Sequence, residues 1–326
     1  MQLLQPPDEQ LEVGRRRLHL YPIRLYDFPE GLVVVGEVGR SRGLLGRRLV
    51  AIGGIPVERA VAAVRPLVPR DNEHSRAARV PQYLLVAEVL HGLGLVPSAG
   101  PLRFRFAGGR ELTLVPVGAT RYLAAFPDLV VPQIPQGLPV RPRPAFLARR
   151  LDQLWTAVID RGRAVYVGYN FTLPWTGDVA ARVRRLAARP AVRRVIVDIR
   201  NNPGGDNGTY APLLDALRAL DGRVPIVVLT SRATFSAAGN LAADLERTKA
   251  VFVGEATGAA PNQYGDPQPV TLPRLGLTFH VATVWWQKSE RGGDDPRLAI
   301  EPDVPVEYSA AAFRAGRDPV LAAALR

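Results

Sequence analysis

Residues 194–206 read RVIVDIRNNPGGD, and residues 224–238 read VPIVVLTSRATFSAA. Each stretch opens on a short, near-continuous apolar run, Arg194–Ile199 and Val224–Leu229. Such runs fit strands buried on both faces. Each then breaks at turn-forming residues before a segment of helical period, Gly208–Leu220 after the first and Ser236–Glu246 after the second. The rhythm extends in both directions. Arg163–Tyr169 reads as a strand, Val179–Ala188 as a helix with arginines on its outer face, Ala250–Val253 as a strand and Leu277–Trp286 as a longer one. The tail, Ala310–Arg326, reads as helical. Strand alternating with helix implies parallel strands joined by crossover helices, and so an α/β class.

The first third of the chain has a different pattern. Strands are expected at Gly31–Val38 and Arg48–Ile52, with a turn at Gly53–Gly54 and helical spacing over Val57–Val64. PQYLLVAEVLHG, Pro81–Gly92, has the spacing of an amphipathic helix ended by glycine. Arg103–Phe106 and Glu111–Val117 flank Gly108–Gly109 as a hairpin. These form a mostly β module over 21–118, after an irregular segment, 1–20. Six prolines between 119 and 145 mark a linker, 119–150, leaving 151–326 as the second domain.

At 326 residues the chain can bury about 75% of its unfolded surface, so a core is affordable without staples. Cysteine is absent, which excludes disulfides, thiolate metal sites and a cysteine nucleophile. No apolar run approaches the roughly 18 residues of a membrane span. The start, MQLLQPPDEQ, lacks the basic and apolar regions of a signal peptide. A net charge of +12 first suggests nucleic acid. The distribution argues against it: only Lys249 and Lys288 among 42 basic residues are lysine, and the arginines are dispersed rather than interleaved with aromatics.

In parallel α/β structures ligands meet the carboxyl ends of the strands. The first such end is Asn201-Asn202-Pro203-Gly204-Gly205-Asp206. Gly204 and Gly205 offer amides with no Cβ in the way, suited to an oxyanion, and they equally suit an ordinary βα turn. The second is Thr234-Phe235-Ser236-Ala237-Ala238. Ser236 is placed as a nucleophile whose oxyanion the Ala237 amide would hold, or as the helix N-cap. Gly39-Arg40-Ser41-Arg42-Gly43 matches G-x-S-x-G, but a turn and strand follow where that motif needs a helix.

The order of the Asp-Ile-Arg-Asn-Asn-Pro-Gly-Gly turn, the Thr-Phe-Ser-Ala-Ala helix start and Val253-Gly254-Glu255-Ala256-Thr257-Gly258 resembles the C-terminal processing (tail-specific) peptidases and their tricorn-like relatives. The resemblance runs over 160–308 and closes at Ile300-Glu301-Pro302-Asp303-Val304. GLLGRRLVAIGGIPV, Gly43–Val57, resembles part of the PDZ-like domain these peptidases carry. It implies a crotonase/ClpP-like spiral catalytic domain behind an N-terminal PDZ-like, β-rich domain. It also implies that Ser236 is the nucleophile, with Gly204 or Gly205 and Ala237 as the oxyanion hole. A peptide or unfolded protein would be the substrate, with no metal or cofactor.

The family's common lysine is not where it should be. The Gly-rich stretch reads GEATGAAPNQ, and Lys249 and Lys288 stand 13 and 52 residues after Ser236. Lys288 would serve only if its strand folded over the site. The tricorn-like histidine motif, Gly-Asp-x-His-Thr, is also missing, and relatives are mostly exported, so an upstream segment would account for both the histidine and a signal. His280 is then the candidate base on the catalytic half, and His19 lies nearest the expected motif. Asp295 is the candidate acid, able to orient an imidazole. Asn262 is a candidate contact to the substrate backbone, with Glu255 beside it. Leu44–Gly46, with Leu45 and Gly46 the contact residues, is the candidate carboxylate loop. Three readings follow: a serine peptidase, a degenerate peptide-binding protein of the same fold, and an acyl-CoA enzyme resting on fold analogy alone.

Overall fold

Four consecutive apolar runs become neighbours in one sheet. Strands Ala164–Tyr169, Arg194–Asp198, Ile226–Thr230 and Val251–Gly254 pair in parallel in chain order, and Val304–Pro305 extends the last. Leu154–Ile159 closes the other side antiparallel to Ala164–Tyr169, making a six-stranded sheet. Every residue of Ala164–Tyr169 and Ile226–Thr230 is buried. Helices Val179–Ala187, Ala211–Arg218 and Ala237–Glu246 connect the parallel strands. One face of the sheet packs Val165, Val197 and Val228 against these helices, whose Val183, Leu214 and Leu241 meet it; the other packs Tyr166, Ile196 and Leu229 against helix Pro319–Ala324. This computed structural model describes residues 12–13, 16–41, 43–126, 143–175, 177–274 and 277–326.

A second core lies in the first third of the chain. Strands Leu49–Ile52, Leu102–Phe106 and Glu111–Leu114 pair antiparallel, and Ile23–Phe28 pairs with Gly31–Glu37. Their inner residues, among them Ile23, Val34, Leu49 and Phe104, pack on helices Val57–Val64 and Glu73–Tyr83. A third cluster joins the two regions: Tyr26, Phe28, Val33 and Val35 bury against Phe146, Ala233, Tyr308 and Phe313.

Several expectations need correction. Pro81–Gly92 is not one helix. Asn72 and Ser75 form a reciprocal capping box that starts a helix at Glu73, so Pro81 sits inside Glu73–Tyr83; a break then precedes Ala87–Gly92. The tail is two short helices, Ala310–Arg314 and Pro319–Ala324, capped by Ser309 and Asp318. The segment 1–20 is not wholly irregular: Glu12–Val13 pairs with Arg16–Arg17, and His19–Leu20 with Val117–Gly118. Of the expected linker, 127–142 lies outside the described residues, while Phe146 and Leu147 of helix Ala145–Ala148 are buried. Among the described residues no helix is long and apolar enough to cross a membrane.

Candidate active site

Past Thr230 the chain turns through 231–235 before the helix Ala237–Glu246. The turn is held by its neighbours. The Thr234 hydroxyl donates to the Ile199 carbonyl at 2.9 Å. The Phe235 amide donates to the Asn202 carbonyl at 3.1 Å, and the Gly258 amide to the Thr234 carbonyl at 3.0 Å. Together they place Ser236 at φ 51°, ψ −126°. That left-handed backbone costs a residue with a Cβ on the order of 1–3 kcal/mol and persists only where the surroundings enforce it. The half-buried Ser236 hydroxyl makes no capping bond, and it has no hydrogen-bond partner among the described residues. The carbonyl of Ser236 accepts instead, from the Asn240 amide at 2.9 Å and Gln263 Nε2 at 3.0 Å.

The diglycine turn presses against this serine. Gly204 has φ 105°, and a Cβ there would fall 2.6 Å from Ser236 Cβ and 2.9 Å from the Ala237 nitrogen. Gly205 has φ 141°, and a Cβ there would fall 2.0 Å from the Thr172 carbonyl oxygen. Thr172 forms a parallel bridge with Gly205. Its amide donates to the Gly204 carbonyl at 3.0 Å, and its carbonyl accepts from the Asp206 amide at 2.6 Å. Successive strand residues bond to opposite sides, so this bridge directs the Gly205 amide away from Thr172. That amide has no partner among the described residues, and neither has the Ala237 amide, the first of its helix.

Gly204 itself does not match the donor role. Its amide donates to Asn202 Oδ1 at 2.9 Å. Gly204 contributes close approach, and the unengaged donors are Gly205 and Ala237. Asn202, overlooked in the sequence reading, organises the turn: fully buried, it also accepts from the Thr172 hydroxyl at 3.2 Å and donates to the Tyr169 carbonyl at 3.0 Å. A second amide network backs the serine, with Gln263 Nε2 donating to Asn240 Oδ1 at 2.9 Å and Asn240 Nδ2 to Asn207 Oδ1 at 2.8 Å.

The remaining candidates lie elsewhere. His280 pairs with Pro269 in the ribbon formed by Asn262–Leu272 and Leu277–Gln287. Gln263 touches Ser236 at the root of that ribbon, so six residues of extended strand carry His280 about 20 Å along it. His19 Nδ1 is 2.6 Å from Glu88 Oε1, and His91 Nδ1 is 3.1 Å from the Val96 carbonyl. Lys288 Nζ donates to Asp244 Oδ2 at 2.9 Å, and that carboxylate also accepts from the Tyr210 hydroxyl at 2.7 Å. Asp244 stands two helical turns from Ser236, about 12 Å along the axis, so Lys288 is out of reach of the hydroxyl.

Asp295 is not presented to an imidazole. Its buried carboxylate accepts from the Arg297 guanidinium, the Ser289 hydroxyl and the Arg297 amide, and the Arg297 bonds above all hold its pKa well below the usual carboxylate range. Asn262 is likewise committed: Oδ1 accepts from the Lys288 and Ser289 amides, and Nδ2 donates to the Gly292 carbonyl. The Leu45 amide donates to the Glu37 carboxylate and the Gly46 amide to the Val34 carbonyl, so neither is open to a chain terminus. Ser41, the serine of the G-x-S-x-G match, is buried with its hydroxyl donating to the Pro22 carbonyl at 2.9 Å. One group from the N-terminal region does reach the serine's surroundings: the Arg79 guanidinium stands 4.9 Å over the Phe235 ring.

No protein-family model and no curated protein matches the chain. Solved structures do share its fold. Mature CPAF superimposes with a TM-score of 0.56 at 16% identity, over 92% of this chain and 80% of that one. Mature CPAF complexed with lactacystin gives 0.58 at 16% identity, over 92% and 81%. The photosystem II D1 C-terminal processing protease also matches, more loosely, at 0.39 and 14% identity over 95% and 80%. At these identities the likeness shows a shared α/β fold.

Proposed function

We propose that the chain is a serine peptidase of the C-terminal processing, tricorn-like kind. In this reading 151–326 is a crotonase/ClpP-like catalytic domain and 21–118 a PDZ-like domain that selects or gates the substrate, a peptide or unfolded protein. The observation that carries the reading is the backbone of Ser236, strained at φ 51°, with an unengaged hydroxyl beside two unengaged amides. Strain held by a full set of neighbouring bonds is what a preorganised nucleophile requires.

The peptide lies as an added strand against the outward amide of Gly205. The Ser236 oxygen attacks the scissile carbonyl carbon, whose oxygen gathers negative charge between the Gly205 and Ala237 amides. The hydroxyl proton passes to a general base and then to the leaving amine as the C–N bond breaks. Water attacks the resulting ester, returns a proton to Ser236 through the same base and releases the acid. No described side chain forms a hydrogen bond with the hydroxyl, so the base enters from outside the described contacts.

That same observation favours a second reading, a degenerate protein that binds peptide without cutting it. A denatured protein carrying a quenched fluorophore separates them. The peptidase reading expects cleavage by the wild type and a loss on the order of 10³-fold or more in Ser236→Ala, with binding and circular dichroism retained. Binding without cleavage in both proteins selects the degenerate reading, and neither binding nor cleavage removes both.

A further inference from the structure

Among the described residues, strands Asn262–Leu272 and Leu277–Gln287 pair only with each other, eleven residues against eleven. A two-stranded ribbon is marginal in water unless something covers a face. Alternation along the second strand puts Phe279, Val281 and Trp285 on one face. Their paired strand adds Val270 opposite Phe279, Tyr264 opposite Trp285, and Leu272 beyond. These six side chains are 41–62% exposed. Soluble surfaces rarely leave such a stripe open unless it meets a partner.

Three observations select the occupant. The first is area. With full aromatic side chains of roughly 150–250 Å², the six residues leave on the order of 500 Å² of apolar surface uncovered. A stable interface takes about 800 Å² per partner, roughly 60% of it apolar, so the stripe matches one side of such an interface. The second is charge. In a chain with 42 basic and 30 acidic residues, the ribbon carries one formally charged side chain, Asp266. A molecule of net charge +12 meets its own copy at least cost through such a surface. The third is the edge. Pro267 and Pro269 remove two alternate N–H groups from the first strand, which blunts strand-to-strand addition there and leaves the face as the contact.

We propose that this face packs against the same face of a second copy of the chain about a twofold axis. Gln263, at the ribbon root, bonds to the Ser236 carbonyl and to Asn240, so the contact would bear on the strained serine through the first strand. The self-association stands whether or not Ser236 is a nucleophile.

Light scattering after size exclusion, from about 0.1 to about 50 μM chain, tests it. The expected result is a species of twice 35.4 kDa for the wild type. The double variant Val270→Glu/Phe279→Glu sets four like charges together across the axis. It should dissociate at least about 100-fold more readily, with unchanged circular dichroism. Val270 and Phe279 are exposed but face each other across the strands, so the single variant Phe279→Glu, which puts no like-charge pair in the monomer, must weaken the dimer in the same direction. A wild type monomeric throughout, or a variant that dimerises as tightly as the wild type, overturns the proposal. So does a monomer whose ribbon binds unfolded peptide instead.

Discussion

At Ser236 the backbone adopts a conformation that costs a Cβ-bearing residue energy, and no capping bond repays it. Glycine relaxes at that φ but loses more chain entropy on folding. The balance predicts that Ser236→Gly raises stability by about 1 kcal/mol, seen as a melting temperature higher by about 2 °C. Gly205→Ala works the other way. Its Cβ would meet the Thr172 oxygen at 2.0 Å with φ at 141°, so the turn must open. Loss of more than about 2 kcal/mol in urea denaturation is expected, along with loss of any oxyanion donation. The serine and the glycines were legible because three motifs occur in order. The allocation of the glycine amides was not. Residue types do not reveal that the buried carboxamide of Asn202 competes for the Gly204 N–H.

At the scale of elements, strands read as continuous apolar runs were found within a residue or two, because both their faces are buried. Ile23–Phe28 and Asn262–Leu272 gave no such signal: the first mixes charge with apolar residues and the second holds two prolines. Leu154–Ile159, LWTAVI, is an apolar run that went unassigned in the sequence and lies at the sheet edge with half-buried positions. The loop after the ribbon is fastened by Asp295 through Ser289 and Arg297, and Arg297 continues to Glu246 at 2.6 Å. Because the folded carboxylate has a pKa below its unfolded value, its contribution is complete above the usual carboxylate range and is lost as pH falls through the folded pKa. Asp295→Asn should therefore destabilise more at pH 7 than at pH 3, each measured by chemical denaturation. Equal effects at both values would show that the carboxylate's charge contributes nothing.

Across the whole molecule, the N-terminal region is fastened to the rest by specific polar bonds as well as the shared aromatic cluster. Asn72 Nδ2 donates to the Thr257 carbonyl at 3.0 Å and the Leu298 carbonyl at 2.7 Å. The Glu30 carboxylate accepts from the Ala310 and Ala311 amides, and Arg232 donates to the Asp27 carbonyl. None of these could be read from sequence, since each joins residues more than 180 positions apart. Asn72→Ala removes a helix cap and leaves the buried Thr257 carbonyl, and the partly buried contact to the Leu298 carbonyl, without their donor. A loss of about 2–3 kcal/mol is expected, with the near-ultraviolet signal falling before the far-ultraviolet one as the two regions part. Coincident transitions of wild-type midpoint would contradict that coupling.

A peptidase needs the Ser236 hydroxyl, held against Gly204, to be chemically competent. Intact-mass analysis after exposure to a fluorophosphonate, followed by peptide mapping, asks this directly. One phosphonyl adduct per chain, on the peptide containing Ser236 and absent from Ser236→Ala, is the predicted result. A chain that stays unmodified, or an adduct on any other residue, contradicts it.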